Sequence, residues 1–293
     1  MSYHLDMKNI AENSLLPKAL CALGLTRHII GVTFFFDRRD YEASSVRPLK
    51  TTMSYCALAR LATLGHGRKT DAAGISCPGA RRALGFVPPD EEFSSGRRYQ
   101  SLGMYKDLEC ARLTAAEVSL MPEAIAGVAV QPLSRCQAPP QVVLAICNPN
   151  QAMRLVQGYI HQFGPPPPMT AMGMQGLCAE LTVRPHVARA INVSLLCSNT
   201  RFTCAWGDHE MGTAMPYAAF MAALRGVLGT LNASESDKSK RVIAARARDG
   251  NLDMDIRPGS AYYAPPSARP ARSADQTPAQ RSPATSENNG RRP

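Results

Sequence analysis

Four cysteines, Cys56, Cys77, Cys178 and Cys197, fall into two pairs built on a similar plan. The stretch MSYCALARLATLGHGRKTDAAGISCPGARRALGF (53–86) carries Cys56 and Cys77, 21 residues apart, with Arg81 four positions after the second thiol. The stretch MGMQGLCAELTVRPHVARAINVSLLCSNTRFTCAW (172–206) carries Cys178 and Cys197, 19 apart, with Arg201 again four positions on. Thiolates are soft ligands, and four of them in tetrahedral array suit zinc or an iron–sulfur cluster. No Cys-x-x-Cys knuckle occurs, so a fold would have to bring such ligands together. Three readings stand side by side. One is a four-iron cluster used in redox chemistry or as a Lewis acid in a lyase. The second is a structural or catalytic zinc site. The third is a set of independent thiols, some redox-active and some core.

Other side chains add chemistry to this set. Arg81 and Arg201 would offset thiolate charge or hold an anionic substrate through a bidentate fork. Glu210, in the run Asp208-His209-Glu210, reads either as a general acid or base near the cysteines or as an acidic cap at a helix start, and is grouped with Arg201 as the catalytic pair. Cys56 is expected in the first turn of a helix, where the dipole favours thiolate. Cys204 is expected on a strand, pointing away from Cys197. Cys147 closes an apolar strand and reads as a buried thiol. The Met- and Gly-rich run before Cys178 would line a ligand or fill a core corner. His66, between two glycines, reads as a solvated loop residue or an alternative ligand. Cys21, Cys110 and Cys136 fit no pattern.

These residues need a scaffold. Apolar β-branched and aromatic runs predict strands at IIGVTFFF (29–36), GVAVQPL (127–133), QVVLAIC (141–147) and INVSLL (191–196). Helical spacing predicts helices over 1–24, 53–64, 109–120, 150–163 and 218–231. Pro78 after Cys77 suits the first position of a short helix. The fold class is therefore α/β, in the mixed α+β sense: a central sheet flanked by helices. Residues 1–233 form a globular domain, divisible into two candidate halves at about 25–120 and 125–231.

With 293 residues, 45% of them hydrophobic, the chain can bury one large core or two modest ones. No run of 18 apolar residues exists and the N-terminus lacks a signal-peptide pattern, which predicts a cytoplasmic protein without a membrane partner. Of the net charge of +10, the last sixty residues supply +4 (11 basic, 7 acidic). The remaining +6 is spread without a dense basic run, which argues against a nucleic-acid partner. From Ser234 onward the Ser-, Pro- and Arg-rich composition predicts a disordered basic tail, with an interaction arm for acidic partners as one use. Neither a GxxxxGK[ST] loop nor a strand-borne GxGxxG is present.

The ordered series IIGVTFFF, SYC, ISCPGARRALGF, VVLAICNPNQAMRLVQGY, GMQGLCAEL, VSLLCSNTRF and DHEMGTAMPY resembles the uncharacterised domain-of-unknown-function family 169 over residues 8 to 231. The resemblance implies matching positions at Cys56, Cys77, Cys178 and Cys197, with Arg201, Glu210 and Pro216 downstream, and brings no established reaction. The expectation for function is a metal-binding, iron–sulfur protein in redox or lyase chemistry on a small anionic molecule, served by a redox partner where electrons move. Its rival is a non-catalytic ligand-binding or accessory protein with ordinary thiols.

Overall fold

The apolar runs at 29–36, 127–133 and 141–147 form strands, while of the expected strand at 191–196 only Asn192–Ser194 does. In a computed structural model, which describes residues 15–232 with Lys238, Lys240, Arg241 and Ala245, the element order is α1 (Leu15–Leu23), β1 (Ile30–Phe35), α2 (Arg38–Ala43), α3 (Tyr55–Thr63), β2 (Arg68–Thr70), α4 (Pro78–Ala83), α5 (Leu108–Ala116), β3 (Gly127–Pro132), β4 (Val142–Cys147), α6 (Pro149–Phe163), a π-helix (Gly176–Val183), β5 (Asn192–Ser194), α7 (Ser198–Cys204), β6 (Met211–Pro216) and α8 (Tyr217–Thr230). Shorter helical turns at Glu91–Ser94, Arg97–Gln100 and Arg184–Ala188 join them. The chain divides after residue 233. The expected tail lies outside the described residues except for the four positions named, as do residues 1–14 of the expected first helix.

All six strands form one antiparallel sheet in the order β2-β3-β1-β4-β6-β5. That order is symmetric about the β1–β4 junction, and the register obeys the same symmetry. If Ile30 corresponds to Val142, the pair Ile30↔Pro132 maps onto Val142↔Pro216. The outer pair Arg68↔Val130 likewise maps onto Asn192↔Ala214. Across the junction, Ile30↔Leu144 exchanges with Val32↔Val142, leaving Gly31↔Val143 on the axis. Each half thus reads strand, cysteine-bearing helix, short strand, cysteine-capped helix, strand, with strand lengths of six, three and six residues in both. The halves meet between β3 and β4, so Gly127–Pro132 belongs to the first, not to a second half starting near 125.

Alternation along the strands sends side chains to two cores. Ile30, Val32, Phe34, Val128, Val130, Leu144 and Ala214 face α3, α4 and the π-helix. Val143, Ala145 and Met215 face α1, α6 and α8. Fully burying each large apolar side chain contributes about 1.5–3 kcal/mol against the entropy of ordering it. The α6 helix starts at a capping box, Asn148 accepting from the Gln151 backbone at 2.9 Å while Gln151 accepts from the Asn148 backbone at 2.9 Å. Among the described residues no helix is long and apolar enough to cross a membrane.

Candidate functional site

The four predicted cysteines all lie on the α3/α4/π-helix side of the sheet, each at the opening of a helix. Cys56 is the second residue of α3, behind the Ser54 cap, whose hydroxyl accepts from Ala57 N at 3.1 Å. Cys178 is the third residue of the π-helix. Cys77 and Cys197 are the N-caps of α4 and α7, and each carbonyl accepts the first helical bond, from Arg81 N and from Arg201 N, both at 3.0 Å. Cys56 and Cys178 are thus counterparts under the sheet's symmetry, as are Cys77 and Cys197.

The thiols also sense one another. Ionising Cys178 is opposed first by burial and then by Cys56, Cys77 and Cys197, which together hold its pKa well above the usual thiol value. Burial pushes the Cys56 thiol up to about 12, against a hydrogen bond from Thr200 that favours the thiolate, with Cys197, Cys204 and Cys77 adding to the rise. The expectation that the helix dipole makes Cys56 a thiolate is therefore corrected: desolvation outweighs it. As the side chains stand, no three His, Cys, Asp or Glu groups among the described residues are placed to hold one metal ion.

Around the sulfurs lies a polar shell that the sequence did not single out. The Cys178 thiol donates to Gln175 O and Oε1, both at 3.7 Å, and Gln175 Nε2 donates to the Tyr99 hydroxyl. Tyr55, fully buried, pairs with Thr182 Oγ1 at 2.9 Å, tying α3 to the π-helix. Thr200 Oγ1 lies 3.8 Å from the Cys204 sulfur and accepts from Trp206 Nε1 at 3.3 Å. Guanidiniums of Arg27 and Arg60 each sit 4.9 Å from the Trp206 ring centre, and Arg60 Nη1 is buried without a hydrogen-bond partner. Glu180 is buried beside β5, accepting from Met172 N at 2.7 Å and from the Ser194 hydroxyl, and burial raises its pKa. Hydroxyls and amides of this kind have no sequence signature, because Ser, Thr and Gln are common at any loop.

Two backbone positions beside the cysteines are strained. Gln175 has φ of 49° and Leu196 has φ of 65°, left-handed values that non-glycine residues rarely adopt. They flank the point where Gly176 meets the other cysteine loop: a Cβ there would stand 2.8 Å from Cys197 N and 2.8 Å from Leu196 Cα. The π-helix, a rare element often found at functional sites, thus begins pressed on the backbone that carries Cys197.

The remaining predicted residues divide. Arg81 Nε is buried and has no hydrogen-bond partner. Arg201 is fully engaged, donating to Leu195 O at 2.7 Å, Gly207 O at 3.0 Å and Glu210 O at 2.7 Å. Glu210 takes both Arg27 nitrogens, Nη2 at 2.8 Å, and accepts from Gly207 N at 2.7 Å. The Arg27 hydrogen bond chiefly holds its pKa below the ordinary carboxylate value. Because strand β6 follows it, the helix-cap reading of Glu210 is corrected. Cys204 is corrected as well: it ends α7, not a strand, and its buried sulfur lies in the Thr200 network. His66 is exposed, and Cys147 is buried beside Thr213 Oγ1 at 3.6 Å.

A profile of domain-of-unknown-function family 169, described as uncharacterised ArCR, matches residues 20–226. The chain belongs to this family. The matched span contains both cysteine pairs and runs from α1 into α8. The chain is similar to an uncharacterised protein of Methanocaldococcus jannaschii, 26% identical over 216 residues that cover 72% of this chain and 91% of that one. No solved structure matches the chain.

Proposed function

We propose that this family member holds an iron–sulfur cluster between Cys56, Cys77, Cys178 and Cys197 and uses it in redox or lyase chemistry on a small anionic molecule. The observation that supports this reading is the pairwise equivalence of the four thiols, each opening a helix on one side of a symmetric sheet. A cluster is larger than one ion and keeps its ligand sulfurs farther apart, which suits thiols that are neighbours without forming a single-ion cage. When bound, such a cluster supplies one-electron transfer or a Lewis-acidic iron.

The chain's own residues would do the rest. Cys56 and Cys178, which burial keeps protonated, would lose their protons as metal enters, so loading releases acid and strengthens with pH. Thr200, whose hydroxyl favours the thiolate form of Cys56, would help to orient that ligand as a hydrogen-bond donor. Arg81, with its unpartnered Nε, is the candidate for anion binding. The contacts of Arg201 and Glu210 favour bracing the Cys197 loop over carrying a substrate or a proton.

Anaerobic purification and reconstitution with ferrous iron and sulfide test the reading. We expect iron and labile sulfide in equal amounts with a visible charge-transfer band, both lost in Cys178→Ala and Cys56→Ala while the far-ultraviolet dichroism persists. A folded protein that takes up neither metal nor sulfide removes the proposal. The burial that keeps Cys56 and Cys178 neutral favours one second reading, a ligand-binding protein with core thiols. In that case zinc and iron alike would leave the protein's stability unchanged.

A further inference from the structure

The internal symmetry exposes a difference between the halves on the other side of the sheet. In the second half, β4 and β6 lie under two long helices, α6 of fifteen residues after β4 and α8 of fourteen after β6. At the corresponding places the first half has only the six-residue α2 after β1 and a three-residue turn, Leu133–Arg135, after β3. The space the missing helices would fill is a cleft of about 540 Å³.

Its floor has changed character to match. Thr33 and Gln131 line the cleft where their counterparts in the second half, Ala145 and Met215, are packed under helices. Phe35 adds apolar surface to the floor, and Val46 and Pro139 also line the cleft. Among the described residues three arginines, Arg47, Arg68 and Arg135, line the cleft, and no carboxylate does. None of the three forms an ion pair with an acidic side chain among the described residues, and Arg68 Nη1 donates only to the adjacent Gly67 carbonyl at 2.6 Å. The wall carrying Arg47 is anchored from below. Buried Lys69 Nζ donates to Tyr41 O at 2.5 Å, Glu42 O at 3.2 Å and Ser44 O at 2.7 Å.

We propose that this cleft is a second binding site, for a small organic anion whose phosphate or carboxylate groups meet Arg47 and Arg135 and whose apolar part rests on Phe35. It lies on the sheet face opposite the cysteines and does not rest on their occupancy. Guanidinium forks recognise both anion types bidentately. A three-arginine lining without counter-charge favours a ligand with more than one negative charge.

Titration calorimetry of the full chain with inorganic pyrophosphate and with citrate, at fixed ionic strength, tests the proposal and separates phosphate from carboxylate sources. Saturable binding of at least one probe is expected, weakened more than tenfold in Arg47→Glu/Arg135→Glu. Both substituted residues are exposed, so the variant should keep the parent's thermal transition. In Cys178→Ala the same binding should persist. If neither probe binds at millimolar concentration, or if the double variant binds as the parent does, as it would if the basic tail held the anion, the proposal is overturned.

Discussion

Gly176 offers the sharpest test of how the two cysteine loops are locked together. A methyl group there would stand 2.8 Å from Cys197 N, 2.8 Å from Leu196 Cα and 2.9 Å from Leu196 C, whereas ordinary contacts begin near 3.4 Å. All three neighbours are backbone, so no rotamer can relieve the clash, and the two loops must part by roughly 0.6 Å (3.4 less 2.8). Overpacking of this kind costs about 1–3 kcal/mol, which for a unit of this size lowers the melting temperature by about 2–12 °C. Gly79 supplies the control beside the same cysteines. Its added Cβ would meet Gln175 Cδ at 3.5 Å and Cys77 Sγ at 3.8 Å, ordinary contacts, and it lies within α4. Gly79→Ala should be neutral or stabilise by up to about 1 kcal/mol by narrowing the unfolded ensemble. The assay is equilibrium urea unfolding of both variants beside the parent, with the slope checked so that a midpoint shift reports stability. The same samples are titrated with a thiol reagent, and Gly176→Ala should label Cys197 faster. A Gly176→Ala midpoint equal to or above the parent's would refute the reasoning.

Alkylation of the metal-free protein near pH 8 should modify exposed Cys21 and Cys110 first and leave Cys56 and Cys178 unlabelled until unfolding; mass spectrometry after a short pulse checks this, and early labelling of Cys56 contradicts the burial argument. Stability should fall as pH climbs above about 9. Burial raises the folded pKa of Cys56 and Cys136 to about 12 and of Cys147 and Cys204 to about 11, so these thiols ionise in the unfolded chain first. Their contribution is complete below the unfolded value of 9 and disappears through the folded ones, which alkaline urea titrations would record. Glu210→Ala should destabilise by about 2–3 kcal/mol at neutral pH by stranding Arg27. With Glu210's pKa depressed below 4.5, the difference from the parent should shrink as acid protonates the carboxyl, and a constant difference down to pH 3 would count against the ion pair. Arg201→Ala, which frees three carbonyls, should cost a similar amount, and Arg201→Lys should recover only part of it in the same unfolding assay.

The apolar strands β1, β3 and β4 were legible because β-branched and other apolar residues cluster there in runs bounded by turn residues, whereas the strand expected over 191–196 keeps only Asn192–Ser194. Strand β6, Met-Gly-Thr-Ala-Met-Pro, was not: its residues have little strand preference, and it forms because β4 and β5 offer it two ladders. Strand β2, Arg-Lys-Thr, is three polar residues held at an edge by β3. The helix expected to Leu120 stops at Ala116. The spacing of cysteines against arginines picked out four thiols that each open a helix, since a helix-opening Cys places its i+4 residue one turn above it. Spacing could not say that Arg201 would turn inward to three carbonyls while Arg81 Nε would stay unpartnered, because those outcomes depend on loops remote in the chain. The π-helix escaped notice because i+5 bonding has no residue signature in the sequence.

The axis through Gly31 and Val143 has a consequence for how such a protein can be built. A half-length chain would own two sulfurs and an open β1 edge, and it could cover that edge by pairing with its own twin. Joining the twins into one polypeptide makes the pairing intramolecular, so the second pair of sulfurs is always supplied at high local concentration. It also frees the twins from being identical. One keeps a roof of long helices, while the other goes without one and leaves room for a visitor.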